Sequence, residues 1–312
     1  MRSENLPGYG LALVAACLWA TLGLFYKALE SYGLSRFTIV FCRAAFATLA
    51  LFAVLGWRRR SWLKLERRDW PLFLAFGLLG VAAFYILYIY AIALLGMGMA
   101  AALMYTAPAW VTVFSILLFW ERPSLMKGSA VLLTCAGCAL VGQAYDPARM
   151  RLNLPGTLAG LGAGLTYGLY TIFSKAAQRR YTLWTTLAYA LGIGTLFMIP
   201  FQSPADLARA LSDSTALSLL LLLGLGPTLG GGLAFNAALR RIPASNASVV
   251  ATLEPFVAAL LGWVFLGERL EAWQWLGAAL IVTAVVILQS DRAARSARWD
   301  TCGVGNGTAQ NG

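Results

Sequence analysis

The chain contains no histidine, so the commonest zinc ligand and the readiest proton carrier near neutral pH are both missing. Acidic residues are scarce as well, 13 Asp and Glu in 312 residues, and of these only Glu254 lies near the middle of an apolar run. Chemistry built on clustered carboxylates has no material here, which argues against a membrane-embedded enzyme acting on lipid substrates. Five cysteines define no disulfide framework. Cys135 and Cys138 form a CxxC inside an apolar run with no redox or metal context, so they read as small buried side chains. The glycine-rich PTLGGG of residues 227–232 lacks the Lys-Ser or Lys-Thr of a phosphate loop and reads as a place for close packing or bending. Charge of either sign amounts to 12% of residues, against about 25% in soluble domains.

What fills the chain instead is apolar: 60% of residues are hydrophobic. Runs of about 20 such residues, the length that carries a helix across a hydrocarbon core, recur nearly throughout. Ten spans are predicted, at 9–29, 36–56, 71–92, 97–120, 125–143, 156–177, 183–201, 215–239, 244–266 and 272–289. The expected fold is therefore an all-α membrane protein of ten transmembrane helices. The first run is as long as a full span and is followed by others, so it reads as a retained helix and not as a cleaved signal. Residues 291–312, small, polar and glycine-rich, read as a disordered tail.

The net charge of +11 comes from residues beside the spans and points to topology and anionic lipid, with no nucleic acid partner expected. With the N-terminus inside, the inner segments hold 17 of the 24 Lys and Arg, the outer segments hold six, and Arg43 lies within a span. This bias places both termini in the cytoplasm.

An internal repeat organises the chain. The NLPG of residues 5–8 returns at 153–156, and in that register Trp19 falls opposite Tyr167, Phe25 opposite Phe173 and Lys27 opposite Lys175. Further on, Pro108 meets Pro255 and Glu121-Arg122 meets Glu268-Arg269. Residues 1–143 and 144–290 are thus two five-helix repeats, and an odd number of spans makes them inverted. Inverted repeats mark secondary transporters whose site, near the midplane between the halves, opens alternately to each side.

The stretch LEPFVAALLGWVFLGERL at 253–270 and its partner TAPAWVTVFSILLFWERP at 106–123 resemble the EamA family of the drug/metabolite transporter superfamily, over roughly residues 9–289. Length and aromatic richness are most similar to aromatic amino acid exporters of the YddG type. The resemblance implies a ten-helix fold around a central cavity lined from both repeats.

Polar and aromatic groups at mid-span must find a protein partner, a cavity water or a substrate. Trp57, Trp62, Trp70, Trp120, Trp273 and Trp275 fall near span ends and read as interfacial anchors. Trp19, Tyr85, Tyr105, Trp110, Tyr167 and Tyr170 fall deeper and, with Asn236, are the candidate cavity lining; Glu254 is the candidate polar contact or coupling residue. Gly160, Gly164 and Gly168 form a small-residue face on one helix, and Tyr167 is angled off it. Pro108 and Pro255 are candidate bending points, and Arg43, nearer a span end, is expected to brace or gate. Lys27 and Lys175 read as snorkelling anchors.

These features lead to the expectation of a multi-pass inner-membrane carrier, working as a monomer without cofactor or metal. It would export small amphipathic metabolites, aromatic amino acids being favoured, by alternating access. The nearest alternative is a broad-specificity drug or metabolite exporter coupled to protons, and any such coupling would run through Glu254.

Overall fold

A computed structural model describes residues 6–121, 123–146, 154–267 and 271–303, and their side chains apart from residue 266 and residues 288–303. All regular elements among the described residues are helical. The chain begins with α1 (Leu6–Ala20) and α2 (Leu22–Glu30), separated only by Thr21, whose hydroxyl donates to Leu18 O. Ser35 caps α3 (Arg36–Arg58) by accepting the Thr38 N–H. A single rod then combines α4 (Trp70–Ala75), a π-helical stretch (Phe76–Ala83) and α5 (Phe84–Leu95). After Gly96 come α6 (Met97–Met104), α7 (Ala107–Phe119) and α8 (Leu125–Val141). The later part comprises α9 (Leu154–Ala177), α10 (Leu183–Met198), the short α11 (Pro204–Ser212) and α12 (Ser214–Leu223). A second π-helical stretch (Gly224–Gly230) leads into α13 (Gly231–Arg241), followed by α14 (Ala244–Ala251), α15 (Glu254–Leu266) and α16 (Ala272–Gly303).

Among the described residues, seven helical rods are long and apolar enough to cross a membrane: Leu6–Glu30, Arg36–Arg58, Arg67–Leu95, Met97–Phe119, Leu183–Phe201, Ser214–Arg241 and Ala244–Phe265. Two shorter apolar helices, Leu125–Val141 and Ala272–Ile287, accompany them. At most 56% of any rod's apolar window is buried inside the protein. The rest is exposed hydrocarbon such as Leu13, Leu49, Leu117 and Leu132, which water would not tolerate over so large an area. Lipid is the solvent that fits, and the protein is a multi-pass membrane protein.

Backbone irregularities recur along the chain. The π-helical stretch at Phe76–Ala83 has its counterpart at Gly224–Gly230, 147 to 148 residues later. The break at Tyr105 and Thr106 returns 147 residues on, at Thr252 and Leu253. The left-handed residue that ends α7, Trp120 (φ 57°), is matched at the end of α15 by Gly267 (φ 68°). Proline explains the breaks. Its ring clashes with the carbonyl four residues back, and α6 ends at Met104 and α14 at Ala251, each four residues before Pro108 or Pro255. Each proline is then the second residue of a new helix, where its missing N–H has no intrahelical partner to lose.

The glycine face of α9 lies against the first of these breaks. A Cβ on Gly160 would fall 2.6 Å from Leu103 Cδ1, one on Gly164 would meet the Thr106 hydroxyl and stand 2.8 Å from Leu103 O, and one on Gly168 would stand 3.1 Å from Trp110 Cβ. Glycine lets α9 approach the point where α6 hands over to α7.

Side-chain bonds tie the helix ends into two groups. One joins Asp69 to Arg180 (3.0 Å) and Tyr181 (2.6 Å), Tyr189 to Leu63 O and Glu121 to Ser245. The other joins Arg209 to Gly33 O and both Gln143 and Tyr145 to Glu271. Helix α16 runs on to Gly303, so residues 291–303 of the predicted tail are helical backbone; residues 304–312 lie outside the described residues, as do Asn5, Asn153 and Glu268.

Candidate functional site

The two halves enclose a cavity of about 760 Å³, within the range of small-molecule sites. Its mouth includes the exposed Lys27, Glu30 and Met97, together with Arg36, Gln143 and Gln274, all at helix ends of the second group above. Among the described residues, none of the lining comes from the helix ends of the first group. The chamber is open to one face and closed to the other.

Aromatic rings form its walls. Tyr167 on α9 stacks on Phe84 (centroids 5.0 Å apart, planes at 19°) and meets Trp19 edge-on at 6.4 Å. The repeat partners Trp19 and Tyr167 are therefore in contact. Trp19 also leans on Phe235 at 5.2 Å, and Phe84 stacks on Tyr88 at 6.0 Å. Tyr26, Tyr85, Tyr105 and Tyr170 also line it.

Arg43 also lines this chamber, at 6% exposure. Its guanidinium lies 4.7 Å over the Tyr85 ring and its Nη1 donates to the Thr228 hydroxyl at 3.3 Å. Thr228 in turn donates to Leu223 O five residues back, a bond made in the second π-helical stretch. The widened turn thus aims a hydroxyl at Arg43. Glu254 enters the lining at the first turn of α15, where unpaired backbone N–H groups favour an anion. Tyr105 is its interacting neighbour, and Arg43 is the cation that acts on it through space.

Of the predicted site residues, the structure brings Trp19, Tyr85, Tyr105, Tyr167, Tyr170, Glu254, Pro255 and Arg43 together around one chamber. Arg43 thus lines the chamber, and its guanidinium also bridges to Thr228 on another helix. Trp110 lies elsewhere: its Cβ packs on Gly168 and the residue is 36% exposed, outside the chamber lining. Asn236 lies beneath the chamber, fully buried. It donates to Gly232 O (2.8 Å) and Tyr170 Oη (3.2 Å) and accepts from Ser174 and from Gln178 (2.8 Å). Pro108 is buried outside the lining. Lys175 is no snorkelling anchor, since its ammonium donates to Leu239 O and Ile242 O at the end of α13. Lys27 stands at the chamber mouth.

Sequence reasoning missed Tyr26, Phe84 and Tyr88. A signal for them existed: from Trp19, the residues at 22, 23, 26, 27 and 30 follow the i, i+3, i+4, i+7 stripe of one helix face, and all of them line the chamber. Phe84 and Tyr88, four apart, repeat the pattern on α5.

The closed face is held by bonds between the two halves. Glu121, after α7, accepts from the Ala244 N–H at 3.1 Å and the Ser245 hydroxyl at 2.5 Å, capping α14, and pairs with Lys127 at 2.8 Å. Asn246 donates to Tyr9 Oη at 2.7 Å. A Cβ on Gly8 would already touch Ile242 and Arg241.

A lipid-embedded bundle with a chamber between its halves, reached from one face and sealed at the other, has the architecture of a membrane transporter. The chain belongs to the EamA-like transporter family, whose model matches residues 6–143 and 154–289. An uncharacterized transporter of Archaeoglobus fulgidus is 28% identical, covering 90% of this chain and 95% of that one. The uncharacterized inner membrane transporter YicL of Salmonella typhimurium is 24% identical over 91% of this chain and 96% of its own. A probable terminal-alkyne amino-acid exporter of Streptantibioticus cattleyicolor is 25% identical over 88% and 90%. A solved crystal structure matches with a TM-score of 0.74 over 92% of this chain and 96% of that one; at 19% identity it shows the fold alone. The protein is a transporter of a small-molecule substrate and not an enzyme.

Proposed function

We propose that the protein exports small amphipathic metabolites, amino acids and above all aromatic ones, across a bacterial-type inner membrane by alternating access. The observation that carries the proposal is the chamber itself, walled by Trp19, Tyr85, Tyr105, Tyr167 and Tyr170 and open to one face only. Rings of this kind enclose a planar, partly apolar solute. The amino-acid exporter among the relatives, at 25% identity, supports the substrate class.

Ten alternating spans in two inverted repeats accompany this function. The irregularities repeated 147 to 148 residues apart support the duplication, and the two groups of linked helix ends support alternation. Inside-assigned basic residues such as Arg67, Lys127, Arg180 and Arg240 belong to segments of the closed face, which is then cytoplasmic, and the chamber faces outward. Trp19, Tyr167 and the Glu254 carboxyl would contact the solute, while the breaks before Pro108 and Pro255 supply bending points. A monomer contains the whole chamber.

The test is release of preloaded labelled tryptophan and phenylalanine, beside a labelled nucleotide sugar, from liposomes containing the purified protein without an ion gradient. Saturable release of the amino acids alone is expected. Release of the nucleotide sugar but not the amino acids would refute the substrate class.

A further inference from the structure

We infer that Arg43 and Glu254 are the two poles of a zwitterion site: the guanidinium takes the α-carboxylate of an amino acid, the Glu254 carboxylate takes its ammonium, and the aromatic wall takes its side chain. The inference deepens the amino-acid export proposed above and rests on it for the direction of transport, but not for the chemistry recognised.

Three observations support it. The Arg43 Nε is buried without a hydrogen-bond partner, although the residue is only 6% exposed and lines the chamber. A buried orphan donor on a guanidinium is costly, and a carboxylate accepting from Nε and a terminal nitrogen together is the group that fits its fork. Second, Glu254 lines the same chamber as Arg43, yet the two form no ion pair among the described residues. Two charges left unjoined in a low-dielectric site are each expensive. An amino acid between them offers each an opposite charge through hydrogen bonds of about 2.9 Å.

Third, the other charged lining residues, Lys27, Glu30 and Arg36, stand at the mouth, where Arg36 and Glu30 already pair at 2.5 Å. Among the described residues the inner chamber therefore carries one basic and one acidic side chain, matching a zwitterion. An amine lacking the carboxylate leaves Arg43 unpaired, and an acid lacking the ammonium leaves Glu254 unpaired, so the chamber rejects both by desolvation. Tyr26, Tyr85 and Thr228 surround the guanidinium, and Tyr105 stands beside the Glu254 carboxyl.

The experiment compares phenylalanine, phenethylamine and 3-phenylpropionate by the concentration at which each raises the melting temperature of the purified protein. In the unaltered protein both truncated compounds should need at least about ten times the concentration of phenylalanine, a discrimination of about 1.4 kcal/mol. Arg43→Gln should erase the preference over phenethylamine and Glu254→Gln that over 3-phenylpropionate, while Arg43→Lys restores part of the first. A bracing role alone would lower the starting melting temperature without changing the ranking. If the variants fail to fold, the ranking in the unaltered protein decides. Equal potency of the three compounds, or no response to any of them, overturns the inference. Ranking preserved without amino-acid release from liposomes would refute the export function and leave the zwitterion site standing.

Discussion

Glu121 offers a direct test of what holds the closed face shut. Its carboxylate accepts from the Ala244 N–H, the Ser245 hydroxyl and Lys127, with both partners of the ion pair only 12% exposed at the side chain. Glu121→Gln keeps the shape but removes the charge. Hydrogen bonds to charged groups contribute about 1.5–3 kcal/mol and neutral ones about 0.5–1.5, so the clasp should weaken by about 1–2 kcal/mol. That amount raises the population open to the opposite face by a factor of roughly 5–30. The assay is the labelling rate of a cysteine at Ala101, a lining position, in a protein whose native cysteines have been replaced, with an impermeant thiol reagent applied to either face. Labelling from the Glu121 face should accelerate by that factor. Lys127→Gln, which removes one of three contacts, should give a smaller acceleration. An unchanged rate from that face in a Glu121→Gln protein that still folds would refute the reasoning.

Further outcomes concern the walls and their support. Trp19→Ala and Tyr167→Ala, each breaking the 6.4 Å edge contact, should lower initial transport rates about tenfold with expression intact, and unchanged rates in both would remove them from the solute path. Gly164→Ala drives a methyl to within 2.8 Å of Leu103 O and should cost about 1–3 kcal/mol in thermal unfolding. The exposed Gly128 of α8 has no neighbour within 4 Å of a Cβ, so Gly128→Ala should stabilise by about 0.5–1 kcal/mol. Asn236→Leu strips hydrogen-bond partners from Ser174, Gln178 and Tyr170 and should cost about 1–3 kcal/mol, measured the same way.

The helical runs were legible because lipid imposes a length and a hydropathy that leave few alternatives, and Pro108 and Pro255 mark helix breaks by local sterics alone. The π-helical stretches were not: their i to i+5 bonding depends on neighbours such as Arg43, which meets Thr228 from another helix. Depth in the membrane can be counted along a sequence, and azimuth around a helix axis cannot. Trp110 and Tyr105 are near-neighbours in depth, yet Tyr105 lines the chamber and Trp110 does not. The place of Arg43 in the chamber was hidden for the same reason. Position along its helix suggested a brace, while the rings and hydroxyls that orient it come from α5 and the turn before α13.

Trp120 and Gly267 adopt the same left-handed conformation at matching helix ends, and this has a consequence for the order of folding. Glycine enters that region freely, whereas tryptophan must be held there at a cost of about 1–2 kcal/mol. The turn after α15 can therefore form within the newly made segment. The turn after α7 becomes stable only once its neighbours have docked. The Glu121 clasp, which begins one residue beyond Trp120, should accordingly be among the last contacts to assemble and the first to be lost on heating.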